Sequence, residues 1–149
     1  MIKADITPDT ALVGIHTGGV WVAEHLHAKL AVALPLGKLA VTLHRDDFSR
    51  IGLHPTKKAT EMPFDVNGRH ILLVDDVLNS GRTLRAALNE LFDFGRPASV
   101  KLAVLVDRGR RELPFAADYV GATMALDAGQ ELVLSNDNHH LRFTIQEKS

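Results

Sequence analysis

The stretch 71–83, ILLVDDVLNSGRT, constrains this chain more than any other: an uninterrupted apolar run, two adjacent carboxylates, a small polar loop, then a helical pattern. Ile71, Leu72, Leu73 and Val74 show no polar alternation, so they suit a strand covered on both faces, as in a parallel sheet flanked by helices. Asp75 and Asp76 then fall at its carboxyl end. That is the edge where open α/β sheets collect ligands, because strand ends and helix starts meet in a crevice there. From Val77 the chain is expected to turn through Leu78, Asn79, Ser80 and Gly81 into a helix. Its first turn lies near Arg82 and Thr83, and Leu84, Ala87, Leu88 and Leu91 recur at helical spacing.

A helix start leaves about four backbone N–H groups without partners and carries roughly half a positive charge. A phosphate answers both, with Gly81 permitting close backbone approach, Ser80 and Thr83 offering hydroxyls and Arg82 a positive charge. The two aspartates would repel such a group, so they are expected to face hydroxyls or a metal. A phosphorylated ribose with Mg²⁺ nearby meets both demands. An Asp-Asp pair alone fits a solvated turn before a capped helix about as well; the whole string is what favours a site. It contains neither the GxxxxGK[ST] of a P-loop nor the GxGxxG of a dinucleotide fold, so those two phosphate cradles do not apply.

Strand and helix signals alternate along the rest of the chain without repeats, low-complexity tracts or a linker, which predicts one α/β domain over 1–149. Strands are expected at 11–15, 39–43 and 100–106, with two short ones at 132–134 and 141–145. His16, Thr17, Gly18 and Gly19 read as a turn before a helix over 20–30, whose apolar side carries Val22, Ala23 and Leu26. Gly95 and Pro97 end the central helix. The segment 49–62 is polar, punctuated by Gly52 and Pro55, and long for a connection inside a domain, so it is expected to be functional or mobile. A chain of 149 residues buries about 68–70% of its unfolded surface, enough for a core without covalent staples. With no cysteine there is no disulfide or thiolate metal site, which fits a reducing compartment. The first residues lack the apolar segment of a signal peptide, and no stretch approaches the roughly 18 apolar residues of a membrane span. A soluble cytoplasmic protein is expected.

VDDVLNSGRT resembles the phosphoribosyl-pyrophosphate (PRPP) motif of type I phosphoribosyltransferases. LVGIHTGGVWVA (12–23), LHRDDFS (43–49) and RPASVKLAVLVDRGRRELPFAADYVG (96–121) narrow that resemblance to the PyrR family, pyrimidine operon regulators that are also uracil phosphoribosyltransferases. It extends from about residue 11 to about residue 121. It implies an α/β fold of the type I phosphoribosyltransferase kind: a central, mainly parallel sheet flanked by helices, with a small C-terminal hood at 122–149. The implied reaction converts uracil and PRPP to UMP and pyrophosphate with Mg²⁺, and UMP and UTP are further implied ligands. By the same resemblance, PRPP is held by Thr17 and Gly18 and by Asp75, Asp76, Val77, Leu78, Asn79, Ser80, Gly81, Arg82 and Thr83. Catalytic roles fall on Asp75, Asp76 and Arg45. Asp107, Arg108 and Val133 would contact the base, and Asp75, Asp76 and Asp137 the metal. The segment 49–62, with Arg50, Lys57 and Lys58, would close over the site and exclude water. Relatives form dimers or larger homo-oligomers, and some bind the leader mRNA of pyrimidine genes.

The chain departs from that pattern in three places. Gly18 stands where many relatives carry an arginine, which removes a positive charge from the pyrophosphate subsite and predicts weaker PRPP binding. Ala116 and Ala122 stand where RNA-binding relatives place basic residues, and residues 1–10 are too few for the helix those relatives carry before the first strand. Overall charge is balanced, with 17 Lys plus Arg against 18 Asp plus Glu, so an RNA-binding face depends on a local cluster. Arg108, Arg110 and Arg111 form the best one. Two function classes follow: an enzyme forming UMP, or a catalytically weak nucleotide-sensing regulator that binds RNA or another partner. The eight histidines do not form a metal-binding pattern, since His25 and His27 point to different sides of the expected helix. Trp21 is expected to serve packing.

Overall fold

A computed structural model describes residues 2–41, 59–127 and 129–147. In chain order they form α1 (Ile2–Asp5), β1 (Thr10–Ile15), α2 (Gly18–Leu30), β2 (Gly37–Leu39), β3 (His70–Leu78), α3 (Arg82–Phe92), β4 (Ser99–Asp107), β5 (Tyr119–Thr123), β6 (Gln130–Asp137) and β7 (His140–Glu147). The first five strands make one sheet in the order β2-β1-β3-β4-β5, every neighbouring pair parallel, while β6 and β7 form a separate antiparallel hairpin.

The apolar runs decide this arrangement. Every residue of β1 is buried, as are Ile71, Leu72, Leu73 and Val74 of β3, so both faces of the central strands must be covered. On one face, Leu84, Ala87 and Leu91 of α3 pack with Ile71, Leu73 and Leu102, and Met62 and Phe64 close the edge. On the other, Val22 and Ala23 of α2 meet Leu12, Leu72 and Val74, and the hairpin adds Leu134, Leu141 and Phe143. Trp21 is half-buried in this second cluster, which agrees with a packing role. Burying one such aliphatic side chain is worth about 1.5–3 kcal/mol, so the two clusters are a major source of the sheet's stability.

Several boundaries differ from those read in the sequence. β3 continues through both aspartates to Leu78 because β4 runs beside it to the end, pairing Val77 with Val106 and Leu78 with Asp107. The helix expected from Val20 begins at Gly18 and takes the glycine pair into its first turn. β2 lies at Gly37–Leu39, earlier than 39–43; residues 42 and 43 are outside the described residues. β5 has no apolar alternation to announce it and owes its strand conformation to pairing with β4. The hairpin strands are eight residues each, longer than the two short runs expected, because turn residues Asn138 and His139 adopt positive φ and keep the pair in register. Of the segment 49–62, only its last residues are described: Glu61 exchanges two backbone hydrogen bonds with Lys38, both 2.8 Å, anchoring that end to β2. The remainder, with Arg50, Lys57 and Lys58, lies outside the described residues. Among the described residues, no helix is long and apolar enough to cross a membrane.

Candidate active site

The strand order reverses between β1 and β3. β1 hands the chain to α2 on one face of the sheet and β3 hands it to α3 on the other, so a crevice opens between the two helix starts. Pairing with β1 ends at Gly14 and Val74, whereas β4 follows β3 four residues further. Past Val74, therefore, β3 has a strand on one side and the first turn of α2 on the other, and Asp75 and Asp76 occupy that stretch.

The carboxylates are held by their own backbone. The Asp76 N–H donates to Asp75 Oδ1 at 2.9 Å, and the Val77 N–H donates to Asp76 Oδ1 at 2.8 Å. Burial, and next the adjacent Asp76 carboxylate, push the Asp75 pKa well above the ordinary carboxylate range. The glycine pair sits directly on them. A Cβ at Gly18 would lie 2.2 Å from Asp76 Oδ2, and one at Gly19 would lie 2.5 Å from the Val74 carbonyl oxygen and 3.2 Å from Asp75 Oδ1. Packing against β3 thus requires a glycine at position 19, where the obstacle is backbone, while at position 18 any side chain would push the Asp76 carboxylate aside, reasons beyond the close ligand approach read from the sequence. An arginine at position 18 would have to displace the Asp76 carboxylate. The peptide bond entering this turn, between His16 and Thr17, is cis, and Thr17 caps α2 without a side-chain hydrogen bond.

Leu78, Asn79, Ser80 and Gly81 wrap a cleft of about 120 Å³ that also reaches Asp75, Arg82 and Thr83. Gly81 adopts φ of 97°, a left-handed conformation that favours glycine, and α3 starts at the next residue with no side-chain cap. An α3 start opening onto a cleft presents N–H donors to an anion. Two side chains expected to serve that anion have other partners. Ser80 Oγ accepts the Arg82 N–H at 3.2 Å, and Arg82 Nε donates to Glu112 at 2.6 Å in an exposed ion pair.

The segment after β4 closes over this loop from outside. The Ser80 carbonyl accepts the N–H groups of Glu112 and Leu113, at 2.9 and 3.0 Å, while Leu113 and Phe115 pack over Gly81. Arg111 donates to the Asn79 carbonyl at 3.0 Å, the Phe115 carbonyl at 2.7 Å and Asp107 Oδ2 at 2.6 Å. The Arg111 bond, and to a lesser degree the Gly109 N–H, hold the Asp107 carboxyl below its usual range against the opposing effect of burial. Arg108 is 8% exposed; its N–H donates to the Leu78 carbonyl at 2.9 Å and its guanidinium reaches the Gln130 carbonyl at 3.4 Å. The cluster of Arg108, Arg110 and Arg111 is therefore no basic face: two of its three members turn inward.

The structure sets Gly18 and Gly19 against Asp76 and Asp75, with Thr17 at the entry to that turn, and Asp75 also lines the cleft wrapped by the 77–83 loop, with Asp107 and Arg108 at the end of the neighbouring strand. It does not bring Asp137 there. Asp137 pairs with His140 at the exposed hairpin tip, and among the described residues no group of three or more acidic or histidine side chains could hold a metal. Val133 is half-buried in β6, opposite Thr144. Arg45 lies outside the described residues. Residues 112–115 fall within the 96–121 string that carries the resemblance, but their role against the loop was not read from it, since they meet the loop through backbone atoms and apolar contact.

The family model of the phosphoribosyl transferase domain matches residues 3–130. A relative named bifunctional protein PyrR, from Nitrosococcus oceani, is 55% identical over 138 residues, covering 91% of this chain and 77% of its own length. One of the same name from Pseudomonas paraeruginosa is 57% identical over 122 residues, covering 82% and 72%. Among solved structures, a hypoxanthine phosphoribosyltransferase from Staphylococcus aureus superposes with a TM-score of 0.66 at 21% identity, over 83% of this chain and 67% of its own. A purine phosphoribosyltransferase from Pyrococcus horikoshii gives 0.59 at 24% identity, over 79% and 72%. These two structures share its fold.

Proposed function

The chain belongs to the phosphoribosyl transferase family and, within it, to the PyrR family, and on that footing we propose that it forms UMP and pyrophosphate from uracil and PRPP and regulates pyrimidine gene expression. One observation carries the enzyme reading: two adjacent carboxylates on β3 stand beside a glycine-built α2 start, and the first of them lines the cleft onto which α3 opens. The 78–83 loop would take the 5′-phosphate of PRPP, Asp75 and Asp76 its ribose hydroxyls, and Thr17 and Gly18 the pyrophosphate.

Asp75 and Asp76 fit a divalent cation shared with the substrate. Each has one oxygen engaged by a backbone N–H, the two carboxylates lie within reach of each other, and Mg²⁺ commonly takes one or two carboxylates plus substrate oxygens. When bound, such an ion would offset charge gathering on the departing pyrophosphate. The chain itself contributes positioning and N–H donors, since pyrophosphate leaves from the anomeric carbon without needing a strong acid or base. Asp107, Arg108 and Val133 are proposed on the base side, and Arg45 and the segment 49–62 as a closing element. Asp137 is a weaker metal candidate, being outside the crevice. Cytoplasmic location and a dimer or larger homo-oligomer complete the reading.

A second reading, a nucleotide-sensing regulator with feeble turnover, is favoured by Gly18, where the Asp76 carboxylate occupies the space an arginine would need. Binding of pyrimidine leader mRNA through Arg108 and Arg111 is disfavoured by their inward bonds. The test is UMP formation from uracil, PRPP and Mg²⁺, with orotate, hypoxanthine and guanine in parallel. Turnover on uracil alone supports the enzyme; silence on all four bases, with UMP still bound, supports the regulator.

A further inference from the structure

We propose that Arg111 is a positioning residue that sets the phosphate loop from behind, so that the loop's N–H groups face an incoming phosphate before it arrives. The inference rests on the phosphoribosyl-binding reading and names a residue that this reading does not use.

One guanidinium spans three elements: Nη1 holds the Asn79 carbonyl at 3.0 Å, Nε the Phe115 carbonyl at 2.7 Å and Nη2 the Asp107 carboxylate at 2.6 Å. In a planar trans peptide the carbonyl and the following N–H point opposite ways. Fixing the Asn79 carbonyl on Arg111 therefore turns the Ser80 N–H away from the 108–115 segment. The next peptide is fixed likewise, its Ser80 carbonyl taken by the Glu112 and Leu113 N–H groups, which turns the Gly81 N–H the same way. With Gly81 in the left-handed region, consecutive N–H groups of this kind form an anion-binding concavity. Asn79 itself is exposed, so without Arg111 its peptide is free to flip toward water. Only a planar fork can hold all three acceptors together, since an ammonium at the same point would reach one where the guanidinium reaches three.

The same contacts predict selectivity. Asp107 Oδ1 also accepts the Gly109 N–H at 2.8 Å, so the carboxylate keeps an anchor when Arg111 is changed. Loss should then fall on the phosphate and spare the base.

Calorimetric binding of UMP and of uridine is compared in the wild type, Arg111→Gln, Arg111→Lys and Arg110→Gln, the last an exposed neighbour as control, with melting temperature alongside. Arg111→Gln should weaken UMP about ten-fold or more while uridine stays within about two-fold, Arg111→Lys should fall between, and Arg110→Gln should match the wild type. Equal loss of UMP and uridine, or no loss of either, overturns the proposal. Hydrogen exchange of 78–84 in the ligand-free proteins supplies a reading independent of binding. It should quicken in both Arg111 variants, and unchanged exchange also overturns the proposal. If the wild type binds neither UMP nor PRPP, the phosphoribosyl-binding reading fails, while the exchange comparison still decides whether Arg111 sets the loop.

Discussion

Gly18 and Asp76 occupy each other's space: a Cβ on the glycine would lie 2.2 Å from the carboxylate oxygen Oδ2 and 2.7 Å from Cγ. The first turn of α2 and the acidic end of β3 are therefore one packed unit, and substitutions on either side are felt on the other.

Gly18→Ala and Gly19→Ala should separate function from stability. At position 18 the obstacle is the end of a side chain that can rotate, so the fold should tolerate the methyl while UMP formation falls as Asp76 leaves its place. At position 19 the obstacle is the Val74 backbone carbonyl, 2.5 Å away, which cannot yield without moving the central strand. Overpacking of that kind costs about 1–3 kcal/mol. Paired melting and activity measurements check this: Gly18→Ala should lose activity with little change in melting temperature, and Gly19→Ala should melt several degrees lower.

Asp75→Asn should be inactive and more stable. The Asp75 pKa is raised by burial and by Asp76, so the ionised form is disfavoured in the fold. An acid with a raised folded value contributes stability fully present below 3.8 and lost as pH rises through the folded value, so at neutral pH its charge is a liability. Asparagine removes that charge. With Asp75 on the ribose as proposed, turnover should fall by roughly 100-fold or more, while the melting temperature at neutral pH rises. A lower melting temperature would contradict the assigned cause of the shift.

Asp107→Asn should flatten part of the acid limb of stability. The carboxyl is held low by Arg111 and by the Gly109 N–H, so its contribution is present above the ordinary value of 3.8 and is lost as pH falls through the depressed folded value. Melting curves at descending pH should show the wild type and variant converging at the acid end, with the wild type ahead at neutral pH.

Tyr119 should titrate at about 12. Its hydroxyl donates to Asp5, which, with a smaller contribution from burial, holds the phenol above its ordinary value of 10.0. The pair closes a cavity of about 170 Å³ at the amino ends of the strands, opposite the candidate site, tying α1 to β5. A raised value means that this contribution is intact below 10.0 and lost as pH climbs through about 12. Because the chain has one tyrosine, ultraviolet absorbance follows it alone, and Asp5→Asn should bring the midpoint back toward 10.0.

Much of the site is legible in the residues alone, because the relevant signals are local. An unbroken apolar run demands burial on both faces, and carboxylates followed by a small polar loop and a helix occupy the ligand edge of a parallel sheet. The glycine pair is legible as a site of close approach, though its partner is not: the ligand is the expected reason, and β3 supplies another. The three arginines after β4 look like a surface cluster because sequence carries no information on which carbonyls lie within reach.

The sequence by itself thus determined the fold class and the position of the candidate 75–83 string, both set by periodicity and residue order within short stretches of chain, while resemblance of its motifs pointed to the family. Only the tertiary structure decided that Asp76 fills the space above Gly18, that Asp137 sits at the hairpin end beside His140 and outside any metal-holding group with Asp75 and Asp76, and that Arg111 faces Asn79 across 32 positions of chain. Those relationships depend on strand register and on which face of the sheet each helix takes. They arise from packing the whole chain at once, and no local stretch encodes them.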